Sequence, residues 1–146
     1  MKKILIISLL TALSSVASAK SINCEFKSIS TQYFDSNKKL LPGDTKDYSG
    51  SIELIEVSNE EYAIKDKKSY EFDLQNISQN PSTEILLKTK FGSRFALTGY
   101  YGTKTVSINK ETGLGKIVSH IKPHLISDLN APQPERVVNI SMQCEL

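Results

Sequence analysis

Hydrophobic and polar residues alternate with a period of two along most of this chain, most regularly near its ends. In residues 136–146, RVVNISMQCEL, Val138, Ile140, Met142 and Cys144 alternate with Asn139, Ser141, Gln143 and Glu145. In SINCEFK, residues 21–27, Ile22, Cys24 and Phe26 alternate with Asn23, Glu25 and Lys27. This pattern marks strands with one buried and one wet face. The two cysteines of the chain lie mid-register on the apolar sides of these two strands. The simplest arrangement makes them neighbours, with the intervening chain forming one closed β unit.

Between these ends the same pattern predicts further strands. Residues 30–48 are polar and turn-rich. Pro42-Gly43 favours a type II turn there, since proline presets the first central φ and glycine accepts a positive one. That stretch reads as a long loop with at most a short strand near residues 39–41. SIELIEV, residues 51–57, is a strand whose alternation slips, so either both faces are partly covered or a bulge shifts the phase. Residues 61–66 place Tyr62 and Ile64 on one side. Residues 69–75 place Tyr70, Phe72 and Leu74 on one side and Glu71, Asp73 and Gln75 on the other. Residues 83–91 and 94–101 read as a hairpin around Gly92-Ser93, with Gly99 on its apolar face. Residues 103–109 and 116–121 read as a second hairpin around residues 110–113, in which either face of 103–109 can be the buried one. Residues 122–135 break the alternation. Pro123 can open a helix, Leu125, Ile126 and Leu129 form one short helical face, and Asn130 and Pro132 end it.

Eight or nine short strands with little helix predict an all-β domain. The expected fold is an antiparallel barrel-like meander in which the first and last strands pair and a Cys24–Cys144 disulfide links them. The alternative is a β-sandwich. Pairing of the chain ends favours closure, because closure removes edge strands.

The first 19 residues stand apart from this domain. Lys2 and Lys3 precede an apolar run over residues 4–13, and Ala17-Ser18-Ala19 supplies small residues at a cleavage site. That is a secretory signal with cleavage after Ala19, and the run is too short to span a bilayer. Residues 20–146 are then the single exported domain, periplasmic or extracellular, where an even cysteine pair reads as a disulfide. Export also changes the charge. The full chain is +2, from 18 basic and 16 acidic side chains. Loss of Lys2 and Lys3 leaves 16 of each. A neutral, evenly mixed surface argues against nucleic acid as a partner and gives no support for an anionic membrane surface; with the apolar run removed, no stable membrane insertion is expected after cleavage.

Candidate chemistry is sparse. His120, His124 and Asp128 are spaced by four and would share one face of a continuous helix, but Pro123 interrupts that spacing. A zinc site usually needs three or four protein ligands, so no metal or other cofactor is expected. G-x-S-x-G and C-x-x-C are absent from the sequence. Tyrosine and arginine are favoured in interfaces, which makes Tyr62, Arg94, Tyr100, Tyr101 and His124 the candidate contact residues. Aromatics in strands also serve as cross-strand core pairs. Asn76-Ile77-Ser78 and Asn139-Ile140-Ser141 fit the glycosylation sequon, which matters only in a eukaryotic host.

The expected function is a non-catalytic binding module for a small apolar ligand or a protein partner, for example an inhibitor-like module. The alternatives are a structural or assembly component of the cell envelope and a small secreted hydrolase. Residues 29–48 and 122–135 are long for β connections and are the expected contact regions. Export predicts that protein recovered outside the cytoplasm begins at Lys20, which N-terminal sequencing checks; a retained Met1 would refute the cleavage.

Overall fold

A computed structural model describes residues 20–65, 70–95, 98–125 and 134–146. They form nine antiparallel strands: β1 (Ser21–Phe34), β2 (Leu40–Asp47), β3 (Ser51–Ser58), β4 (Glu61–Lys65), β5 (Tyr70–Asn76), β6 (Glu84–Phe95), β7 (Thr98–Asn109), β8 (Leu114–Leu125) and β9 (Glu135–Glu145). Strand β1 pairs with β3, each strand from β3 onward pairs with the next, and β9 returns to β1. The result is a closed eight-stranded barrel, not a sandwich. The extra strand, β2, pairs with β1 alone. Residues 1–19 lie outside the described part, as do 126–133, where most of the expected helix would fall.

Closure rests on β1. Its first half pairs with β3, its second half with β2, and β9 runs along most of its length. Cys24 stands opposite Cys144 in that register, and the two form a disulfide that spans 120 positions of sequence. A register shift between Phe26 and Ser28 keeps one face apolar. Beyond it Ile29, at odd spacing from Cys24, stands opposite Ile140, which packs against the core. Ile22, Leu54, Ile64, Leu74, Leu87, Val106, Ile108, Ile117 and Met142 fill the space around the disulfide, and all are buried. The slipped alternation of β3 also resolves. Ile52 and Leu54 point inward, while a bulge between Glu56 and Ser58 leaves Val57 59% exposed.

Three expectations are corrected. First, residues 30–48 are not a long loop. Strand β1 continues to Phe34, and the chain turns over Asp35 to Lys39. The Asp35 carboxylate accepts the N–H groups of Asn37 at 2.8 Å and Lys39 at 2.9 Å, and Lys38 takes a φ of 63°. Pro42 and Gly43 lie inside β2. This strand has a ladder on one side only, so proline's missing N–H is tolerated. Gly43 lies against the β1 backbone: a Cβ there would sit 2.2 Å from the Thr31 carbonyl oxygen.

Second, Gly92 and Ser93 do not make a turn. They lie within β6, opposite Tyr101 and Tyr100. Residues 98–109 are one strand, so Tyr101, Thr103, Thr105 and Ser107 share the outer face with Gly99 while Val106 and Ile108 are buried. The glycine that matters is Gly102, where a Cβ would lie 2.0 Å from the His120 carbonyl oxygen and 2.9 Å from the Phe91 ring.

Third, Pro123 opens no helix. Strand β8 runs through it to Leu125, paired with β7. The β8–β9 ladder ends at Ile121 opposite Arg136, so β8 has one unpaired side where the proline falls.

The β5–β6 seam is short, with Gln75 opposite Lys88 and Asn76 opposite Leu87. Side-chain bonds reinforce it. Ser78 Oγ lies 2.6 Å from Asn76 Oδ1 and accepts the Leu86 N–H at 2.7 Å, while the Asn76 amide reaches the Asn59 carbonyl at 3.3 Å. The first sequon therefore works here as a clamp between strands.

The staple that closes the barrel is open to a direct test. Replacing Cys24 and Cys144 together by alanine is expected to lower the unfolding free energy by about 3–5 kcal/mol in a urea melt. A loss below about 1 kcal/mol would show that the β1–β9 ladder closes the barrel unaided.

Candidate functional site

The strands differ in length in a way that creates the site. Strands β6, β7, β8, β9 and β1 have 11 to 14 residues, whereas β3, β4 and β5 have 5 to 8. One wall of the barrel is therefore taller than the other. Along its top edge, a cleft of 540 Å³ opens between the β1–β2 turn and the ends of β7, β8 and β9. Phe34, Lys38, Leu41, Tyr101, Lys122 and Glu135 line it. Parts of residues 29–48 and 122–135 thus meet at one place. Two other clefts, of 580 and 710 Å³, lie beside the β7–β8 turn and the β3–β4 turn and bring together neither of these segments.

Glu135 organises the cleft. It is the first residue of β9 and stands opposite Phe34 on the outer face. One carboxylate oxygen meets Lys38 Nζ from the β1–β2 turn, and the other meets His120 Nε2 from β8. The Glu135 side chain is only 12% exposed. The bond from Lys38, with a smaller share from His120, holds its carboxyl below the usual glutamate range, and desolvation opposes that shift only in part. Chemically this is an ionic latch that pins the turn to the wall. Among the described residues the His120 ring bonds to this carboxylate and to no hydroxyl. Among the described residues no three His, Cys, Asp or Glu side chains gather as a metal-binding group.

Register brings the backbones of four of the five candidate contact residues, Arg94, Tyr100, Tyr101 and His124, to one end of β6 to β8, and only Tyr62 stands apart. Tyr101 is 51% exposed and lies in the cleft. Tyr62 is in the barrel core, 6% exposed, where burial and the nearby Glu56 carboxylate raise its phenol pKa. The backbones of Arg94 and His124 both pair with Gly99, and that of Tyr100 pairs with Ser93 and Pro123; the side chains of these three lie outside the described part. Asp128 does too. Sequence reading missed Lys38, Lys122 and Glu135. A lysine after an Asp-Ser-Asn turn and a glutamate after a proline are ordinary surface residues until register places them together.

The latch sets a pH dependence. A carboxyl with a lowered folded pKa contributes stability above its ordinary value of 4.5 and loses it as pH falls through the folded value. Glu135→Gln is expected to lower stability by about 0.5–1 kcal/mol at pH 7. Thermal melts should show the gap between variant and parent closing below about pH 4; a constant gap from pH 7 to pH 3 would refute the latch. No family model, curated protein or solved structure significantly matches the chain.

Proposed function

We propose that this protein is an exported, non-catalytic binding module that engages a macromolecular partner across the outer face of its tall wall, at the Tyr101–Glu135 cleft. The observation that carries this reading is the packed core that fills the barrel at the level of the disulfide, among the described residues. A barrel that carries a small apolar ligand needs a lumen, typically of a few hundred Å³. Here Leu54, Leu74, Leu87 and Val106 are each fully buried in one continuous core. The binding surface is therefore sought outside. The cleft there combines exposed aromatic and apolar surface with fixed charges. The assembly reading draws less support from β2, whose open side carries Pro42, Asp44, Lys46 and Asp47, residue types that discourage strand addition; among the described residues β6 beyond Lys88 is also paired on one side only.

Two measurements test the proposal together. An apolar fluorescent probe is expected to show no saturable one-to-one binding. A photoreactive residue at position 101 is expected to crosslink a defined envelope component, whereas one at position 57, on short-wall strand β3, is not. Stoichiometric probe binding, or equal crosslinking from both positions, would overturn it.

A further inference from the structure

The neutral total charge of residues 20–146 conceals a strong separation. Residues 84–125, which form β6 to β8, hold Lys88, Lys90, Arg94, Lys104, Lys110, Lys116 and Lys122 against Glu84 and Glu111, a net of +5. The remainder of the exported chain carries the balancing −5. The evenly mixed surface expected from the totals is thus corrected by position.

Strand register turns this excess into a shaped surface. On the outer face, Leu86 stands beside Ser107 and Lys116, Lys88 beside Thr105 and Val118, and Lys90 beside Thr103 and His120. Tyr101 then stands beside Lys122. The middle column is therefore Ser107, Thr105, Thr103 and Tyr101, spaced by about 7 Å. Lysines flank it on both sides, in columns about 10 Å apart. Among the described residues Lys88, Lys90, Lys116 and Lys122 form no ion pair. Lys104 faces the other way, with its ammonium 5.9 Å from the centre of the Phe91 ring. Two carboxylates lie at the open end: Glu135 is held by Lys38 and His120, and Asp35 accepts the Asn37 and Lys39 N–H groups.

We infer that this outer-face strip, leading to the Tyr101–Glu135 cleft, binds a single linear acidic glycan. The inference rests on the outer-face reading above and names its ligand class. The floor of hydroxyls suits a polyhydroxylated chain, a tyrosine ring can pack against the apolar face of a sugar, and two lysine columns can meet carboxylate or sulfate groups on either side. Other polyanions fit less well. An acidic peptide would be held by adding a strand to an edge; β7 is paired on both sides, and the one-sided stretch of β6 beyond Lys88 would seat such a peptide beside the hydroxyl column instead of along it. Single-stranded nucleic acid is bound on successive aromatic platforms, whereas the described middle column has one. An anionic membrane surface favours inserted apolar side chains, and this floor is polar.

The test uses the exported protein, residues 20–146, with polygalacturonate as probe. Neutral dextran, polyglutamate, single-stranded DNA and phosphatidylglycerol vesicles serve as comparison arms. Binding to polygalacturonate is expected to weaken with salt and to be absent for dextran. Lys88→Gln with Lys90→Gln should raise Kd roughly 10- to 30-fold, and so should Lys116→Gln with Lys122→Gln. Tyr101→Ala should weaken glycan binding while leaving any residual DNA or vesicle binding unchanged. Unaltered thermal melts verify that each variant is folded. Equal affinity for all the polyanions, insensitivity to Tyr101→Ala, or absence of polygalacturonate binding would each overturn the inference. If crosslinking from position 101 succeeds while polygalacturonate fails, the ligand class falls and the outer-face reading stands.

Discussion

The pairing of β1 with β9 is the constraint on which the molecule depends. It joins the two ends of the described chain, and with it every barrel strand has two neighbours. Without it β1 and β9 would each expose a row of unpaired backbone groups, the usual starting point for strand-to-strand aggregation. The Cys24–Cys144 bond locks this pairing at the level of the core. It also limits how far the unfolded chain can expand, which is where long-loop disulfides act in the entropy model. The register shift beside Lys27 lets the ladder continue past the packed region without turning Ile29 into solvent.

Unequal strand length divides the packed level of the barrel from its open edge. The short strands β3 to β5 reach only as far as the core needs, and Leu54, Leu74 and Tyr62 seal that level. The longer strands continue beyond it, where side chains are released from packing and can be polar or charged. Glu135 fixes the β1–β2 turn against this free edge through Lys38 and His120. The cleft thus stands on paired strands and one pinned turn, a rigid support of the kind that recognition surfaces need.

Charge separation gives the tall wall its character. A net charge of zero says little about any one face, since fields depend on where charges lie and how far salt lets them act. Alternation along β6 and β8 puts lysines outward because the core takes the other parity. Ser107, Thr105 and Thr103 stay outward on β7 for the same reason. A strand pattern selected for burial on one side therefore lays out an ordered array on the other.

Much of this was legible in the chain itself. Period-two alternation showed the fold class, the end strands and the cysteine pairing, because burial of one face repeats every second residue whatever the partner. The β7–β8 turn was equally clear, since Gly113 takes a φ of 70° there. What misled was local chemistry that tertiary context overrode. Pro42 and Pro123 resemble turn and helix signals, yet both lie in strands with one unpaired side. Gly92 resembles a hairpin tip, yet it faces Tyr101 in mid-ladder. The meeting of Lys38, His120 and Glu135 was not readable at all. They are separated by up to 97 positions, and only the register of a closed sheet decides which distant residues become neighbours.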